Sequence, residues 1–484
     1  METQENNKTS LAYVNKKLFS GFLTLTFRKA ALLAINFVTI NIVLARILPV
    51  STIGIFNVAN SILAFFTYFS DIGLAAALIQ KKEIHQNDLK TTFTIQQILA
   101  LIISTVLIIF APQLAQFYQL DNHGMWLIRA LAAGFFLSSL KVIPSVLLER
   151  ELNFGKLVWV EIAETAVFNS ILVWLSFNGA GVSAFAWGVL ARGIIGVAII
   201  YLVSPWNISL GFSKESARSL INFGLPFQAN SLLALLKDRL VPLVIARMVG
   251  TLGVGYITWG QSMAFMALEV MNIMTRISFP AFSRLQDDKE ALKRTLERTV
   301  FLTGLMLYPM LFGLIAIVPS LVAHVVSSKW QPALPMVYLF SITAFWATLS
   351  TPFTNFLNAI GKIGITLKLM IMWTTLEWVI TPVLTYYYGF IGVGYASALI
   401  AFTSIIPIMI IKRTINIAVW ENIWQTVLAS FVMAIVTFFV AQSLVVDFVS
   451  LLVTVAIGGL VYILFMFLLA REKVLLNLKS MRNA

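Results

Sequence analysis

FLTLTFRKAALLAINFVTINIVLARILPVSTIGIFNVANSILAFFTYFSDIGLAAAL, residues 22–78, decides the fold. It holds two apolar runs, each long enough to cross a bilayer as a helix of about 20 residues. They form a hairpin that closes on Phe69-Ser70-Asp71-Ile72-Gly73-Leu74 and the polar run after Gln80. A second copy lies further on. Shifted by 201 places, Ala45-Arg46 falls on Ala246-Arg247, Gly54 on Gly255, Ser61 on Ser262, Leu32 on Leu233 and Val43 on Val244. The identities are few, but the order of apolar helix, Arg, turn, Gly, second helix and charged loop repeats. An internal repeat in a membrane chain predicts two lobes around a central site.

Composition agrees. The chain has 484 residues, of which 59% are hydrophobic and 11% charged, and no soluble domain of that size could bury so much apolar surface. It contains no cysteine, which excludes disulfides, zinc–thiolate sites and thiol nucleophiles. A net charge of +13 would suggest nucleic acid in a soluble chain. Here it reads as the cation bias of loops on one side of a membrane, and no nucleic-acid partner is expected.

Apolar runs predict an all-α integral membrane protein with fourteen spans, near 22–46, 53–78, 91–117, 125–148, 157–177, 180–203, 219–248, 254–279, 299–322, 333–358, 364–388, 391–411, 422–442 and 448–469. One alternate set of loops holds most of the cations, from Lys16 and Lys17 through Lys81, Lys82, Arg150, Lys214 and Arg284 to Arg471 and Lys473. The opposite loops carry Arg46, Arg247 and Lys329. The bias predicts that both termini are cytoplasmic.

Residues 1–20 read as a polar N-terminal segment on the inner membrane surface, with no cleavable signal ahead of the first span. Two pseudo-symmetric six-helix lobes are expected at 21–203 and 219–413, joined by a cytoplasmic linker at 204–218. A helix pair and a tail complete the chain at 414–484. Gly392-Val393 echoes Gly181-Val182, and Pro352 echoes Pro144, at matching places in the two lobes. The sequence SRLQDDKEALKRTLE, residues 283–297, alternates charge signs at helical spacing and predicts a solvated connecting helix. The stretch 330–335 reads as a short outer loop.

Five blocks carry a family resemblance: FSDIGLAAALIQKKEIHQNDLKTTF (69–93), LLERELNF (147–154), FGLPFQANSLL (223–233), FPAFSRLQDD (279–288) and SSKWQPALP (327–335). In these the chain resembles the polysaccharide-transporter branch of the multidrug/oligosaccharidyl-lipid/polysaccharide exporter superfamily, and within it the Wzx-like flippases of capsule, O-antigen, colanic-acid and other exopolysaccharide or lipopolysaccharide pathways. The resemblance implies two six-helix bundles, a central cavity and alternating access in the bacterial cytoplasmic membrane. It implies as cargo an undecaprenyl-pyrophosphate-linked oligosaccharide, with a polymerase and a chain-length regulator as candidate protein partners. It also implies antiport-type coupling to an ion such as H+ or Na+, with no other cofactor.

Such a cargo needs cations to offset desolvation of its pyrophosphate, and polar or aromatic walls for its glycan. The candidates are Arg28 near the start of the first span, Arg192 near mid-membrane, Lys237 and Arg239 in the seventh span and Arg276 in the eighth. Snorkelling to the interface is the competing reading for Arg28 and Arg276. An ion pair with Asp238 is the competing reading for Lys237 or Arg239. Glu161, Glu164, Asp238, Glu269 and Glu377 are the candidates for binding a coupling ion. Glu161 and Glu164 share a helix face at the depth of Lys141, so a structural Lys141–glutamate bridge is the plainer expectation there.

The three histidines have no metal-ligand spacing, and no phosphate-binding loop of the Walker type is present. The alternatives are a small-molecule or drug antiporter of the same architecture, or a membrane-embedded polysaccharide polymerase. The second would need a longer loop than any seen here.

Overall fold

A computed structural model of the chain describes residues 35–229 and 235–482. These residues divide into two compact units, one ending at Val254 and the other starting at Gly255. Among the described residues eleven helices are long and apolar enough to cross a membrane, or twelve when one bent pair counts as a single span. Of the fourteen expected spans, 22–46 and 219–248 fall partly outside the described residues.

The first unit contains α1 (Ile35–Ile47), α2 (Val50–Asp71), α3 (Leu74–Gln80), α4 (Gln86–Phe117), α5 (Asn122–Ser139), α6 (Val142–Arg150), α7 (Phe154–Phe177), α8 (Val182–Val203) and α9 (Lys214–Ala229). The next helix, α10 (Val241–Phe265), crosses the division between the units. Leu44, Ile62, Leu107, Leu131, Leu172 and Phe185 from six of these helices meet in one buried cluster.

Four expected spans are each divided between two helices, 254–279 after Phe265 and 391–411 after Phe402 among them. The run 53–78 divides because Ile72 and Gly73 both take left-handed backbone, at φ 49° and 74°. That conformation ends a helix whatever the hydropathy around it. The run 125–148 divides at Leu140–Lys141, where α5 and α6 meet at a bend of 43°. The left-handed break lets two backbones touch, because a Cβ on Gly73 would overlap the Gly224 carbonyl, and one on Gly224 would overlap that of Ile72. Reciprocal hydrogen bonds fasten the contact. Tyr68 Oη donates to the Gln228 carbonyl (2.5 Å) and Gln228 Nε2 to the Tyr68 carbonyl (2.7 Å).

The repeat seen in the sequence has a counterpart in the backbone. A π-helical turn at Val38–Leu44 is followed by a break at Leu48–Pro49, and one at Leu236–Leu240 by a break at Gly250. Wide turns of this kind loosen the helical ladder where side chains are needed for function.

The second unit contains α11 (Leu268–Arg284), α12 (Lys289–Ser320), α13 (Leu334–Ala359), α14 (Ile363–Tyr388), α15 (Ile391–Phe402), α16 (Ile405–Ile415), α17 (Val419–Leu444) and α18 (Phe448–Arg482). Its core joins Phe282, Leu296, Tyr308, Phe353 and Ile411. The connecting helix expected at 283–297 does not stand alone. Asp288 accepts hydrogen bonds from the Glu290 and Ala291 amides (3.1 and 2.9 Å) and so starts a new helix that runs unbroken to Ser320. Nor is 330–335 a free loop. Ser328–Ala333 is a 3-10 turn whose Trp330 is fully buried and stacked on Trp259 at 4.9 Å.

Exposed tryptophans mark the helix ends: Trp159, Trp174 and Trp187 on α7 and α8, Trp126 on α5 and Trp420 on α17. Between them the outer faces are leucine, isoleucine, valine and phenylalanine. An apolar band with amphipathic rings at its edges is the surface of a multi-pass membrane protein.

Candidate functional site

The structure brings three expected charges together in the first unit. Glu164 on α7 is buried, with 4% of its surface exposed. Its Oε1 is 2.5 Å from Lys141 Nζ and its Oε2 is 3.5 Å from Arg192 Nε. The bridge expected between Lys141 and a glutamate of α7 is therefore present, and it involves Glu164. Lys141 reaches it from the bend between α5 and α6, and Arg192 from α8. The carboxylate fits because Gly196 on α8 leaves room that a Cβ would fill.

One carboxylate cannot neutralise two cations, so the group keeps a formal charge of about +1. The excess sits on Arg192, whose side chain is 50% exposed against 18% for Lys141. Held by a single nitrogen, its guanidinium still has donors free for a planar oxyanion. Glu161 lies one turn away on the same helix and is half-buried.

The π turn Leu236–Leu240 carries the other basic cluster. Lys237 Nζ pairs with Asp238 Oδ1 at 3.3 Å, both side chains being substantially exposed. The pairing anticipated for one of the two cations is that of Lys237, and no ion pair reaches Arg239 among the described residues.

In the second unit, Glu269, Asn272 and Arg276 follow one another along one face of α11. Asn272 Nδ2 donates to Glu269 Oε2 at 3.0 Å, and Arg276 is exposed with no ion pair among the described residues. Leu268–Arg284, the second part of the expected span 254–279, is not among the helices long and apolar enough to cross a membrane. Glu377 is half-buried on α14, on the same face as the buried Thr374, Thr381 and Thr385. Arg28 lies outside the described residues.

Three features escaped the sequence reading. The buried Asn169 on α7 donates to Oδ1 of the half-buried Asn36 at 3.0 Å, an amide pair beside the first π turn. Arg150 at the end of α6 donates to the carbonyls of Leu78 (2.8 Å), Ile79 (3.0 Å), Lys81 (2.5 Å) and Lys82 (3.0 Å), closing the C-terminal end of α3. Asp88, almost fully buried at the start of α4, accepts from Lys81 Nζ (2.7 Å) and the His85 amide (3.0 Å). Charge order alone gives no sign of these, because their partners are largely backbone groups or distant amides.

A multi-pass helical bundle with repeated broken helices and intramembrane cations is the architecture of a membrane transporter. Its fold matches two solved transporters. It covers 94% of this chain and all of "Lipid II flippase MurJ, inward closed conformation" with a TM-score of 0.72 at 12% identity. It covers 82% of this chain and 99% of an inward-facing multidrug resistance MATE transporter of the MOP superfamily with a TM-score of 0.59 at 15% identity.

The family follows from the sequence itself. A family model described as "Polysaccharide biosynthesis protein" matches residues 43–335, more than half of the chain, and the chain belongs to that family. Among curated relatives, the "Lipopolysaccharide biosynthesis protein WzxC" of Escherichia coli K12 is 26% identical over 351 residues, 69% of this chain and 68% of its own. The "Succinoglycan biosynthesis transport protein ExoT" of Rhizobium meliloti is 24% identical over 336 residues, 69% of this chain and 67% of its own.

Proposed function

We propose that this protein flips an undecaprenyl-pyrophosphate-linked oligosaccharide repeat unit from the inner to the outer leaflet of the bacterial cytoplasmic membrane, by alternating access coupled to H+ or Na+. The observation that carries this reading is Arg192, a half-exposed cation near mid-span whose charge Glu164 shares with Lys141. A bare guanidinium in an apolar bundle is costly unless water or an anion reaches it. A pyrophosphate between sugar and lipid is such an anion, and its prenyl tail need never leave the hydrocarbon.

Arg239 and Arg276 extend the cationic series, and Arg28 is its expected start. The bias of the loop cations supports a cytoplasmic position for both termini. The lobes are 21–203 and 219–413, with 204–218 joining them and 414–484 as an added pair. Glu161, Glu164, Asp238, Glu269 and Glu377 are the candidates for the coupling ion, Glu164 being the one that two cations hold.

Reconstitution tests the activity. Purified protein in vesicles carrying a fluorescent prenyl-pyrophosphate oligosaccharide should expose the inner-leaflet pool to an added membrane-impermeant quencher, and Arg192→Ala should not. Equal exposure in protein-free vesicles or with the variant would remove Arg192 and flipping from the account.

A further inference from the structure

Residues 204–213 join α8 to α9 without helix or strand, and exposure alternates from residue to residue over 208–213. Alternate side chains of an extended segment face opposite ways. On the side facing α4 the residues are small: Ser209, Gly211 and Ser213. The amides of Gly211 and Ser213 donate to Thr94 Oγ1 (3.0 Å) and Thr91 Oγ1 (2.9 Å) of α4. Trp206 sits edge-on against Phe93 of the same helix at 5.0 Å.

The other side is the reverse of what water selects. Ile208, Leu210 and Phe212 are 58%, 71% and 68% exposed. A water-facing strap would place its apolar row inward and its serines outward.

Thr94, Ile98 and Leu101 fall on one face of α4, and Ile98, Leu101 and Ile102 are exposed along a helix apolar enough to span a membrane. The strap therefore lies over the first turns of a lipid-facing surface, and its apolar row continues that surface. Val203 ends a candidate span at one end of the strap, and Lys214, Arg218 and Lys90 lie close to the other. Cations flanking an apolar row are the pattern of a segment seated at a headgroup boundary.

We propose that residues 208–212 are immersed in the bilayer interface at the basic-loop end of the protein, with Ile208, Leu210 and Phe212 among the acyl chains. The segment is then a lipid-held strap rather than a water-exposed linker. This rests on α4 and α8 being membrane spans and is independent of the cargo.

The absence of cysteine makes the test direct. Ile208→Cys, Leu210→Cys and Phe212→Cys are made singly in the full chain, with Glu290→Cys as the water reference, spin-labelled and reconstituted in phosphatidylethanolamine/phosphatidylglycerol vesicles. Labels at the three strap positions should collide with oxygen and be shielded from a water-soluble nickel chelate, giving an oxygen-to-nickel ratio several-fold above that at 290. Nickel accessibility equal to that at 290 overturns the proposal in favour of a solvated linker. Shielding from both reagents overturns it in favour of a protein-covered surface.

Discussion

Lys141 Nζ and Glu164 Oε1 are 2.5 Å apart, joining the bend between α5 and α6 to the middle of α7. The same carboxylate holds Arg192 with its second oxygen. Removing the acid leaves two cations facing each other with no counter-charge. Glu164→Gln should lower stability on the order of 3 kcal/mol, read as a fall in the unfolding temperature of detergent-purified protein. Lys141→Glu combined with Glu164→Lys should recover part of that loss. An unchanged melting temperature in Glu164→Gln would show that the bridge contributes nothing.

Arg192 carries the functional half of that cluster. Arg192→Ala should abolish surface polysaccharide while leaving the protein in the membrane, and Arg192→Lys should retain a fraction, since it keeps the charge and loses the planar donor pair. Arg239→Ala and Arg276→Ala should each reduce export. Lys237→Ala should matter less, because Asp238 already shares its charge. Quantified surface polysaccharide alongside membrane immunoblots decides the ranking, and full export by Arg192→Ala would contradict it.

Arg150 acts on structure. Its four donated bonds close the end of α3, and a lysine could not reach the same set of carbonyls with one nitrogen. Arg150→Ala and Arg150→Lys should both destabilise, by about 3 kcal/mol for the alanine. Thermal unfolding with a fluorescent size-exclusion readout measures this, and full stability of Arg150→Lys would argue for simple charge.

The contact of Gly224 with Ile72 and Gly73 depends on the absence of a side chain. Gly224→Val should pry α9 from the α2–α3 break and break the Tyr68–Gln228 pair. A cysteine at position 228 should then react faster with maleimide than it does in the Gly224 background. Equal rates in the two backgrounds would mean that the close approach is not what protects Gln228.

Much of this was readable in advance. Run length and loop charge gave the helical membrane architecture, and counting depth along antiparallel helices paired Lys141 with an acid of α7. Run length alone missed the breaks, although Ser70-Asp71 beside Ile72, and Ser138-Ser139 and Lys141 beside Leu140, interrupt the apolar runs where the backbone turns. A left-handed isoleucine has no compositional signature. The Arg150 clamp was hidden because its acceptors are carbonyls, which every residue has. In 208–212 the alternation is visible in the letters, but which side faces α4 is decided by Thr91 and Thr94, more than a hundred residues earlier.

The account stands most directly on where an intact repeat unit stops when the protein is removed. In cells depleted of this chain, lipid-linked oligosaccharide is extracted after surface treatment with a membrane-impermeant glycan-oxidising reagent, which modifies only outer-leaflet sugars. Complete repeat units that accumulate unmodified, on the inner leaflet, are the predicted result. Units that accumulate modified and unpolymerised on the outer leaflet would contradict flipping and assign the block to polymerisation.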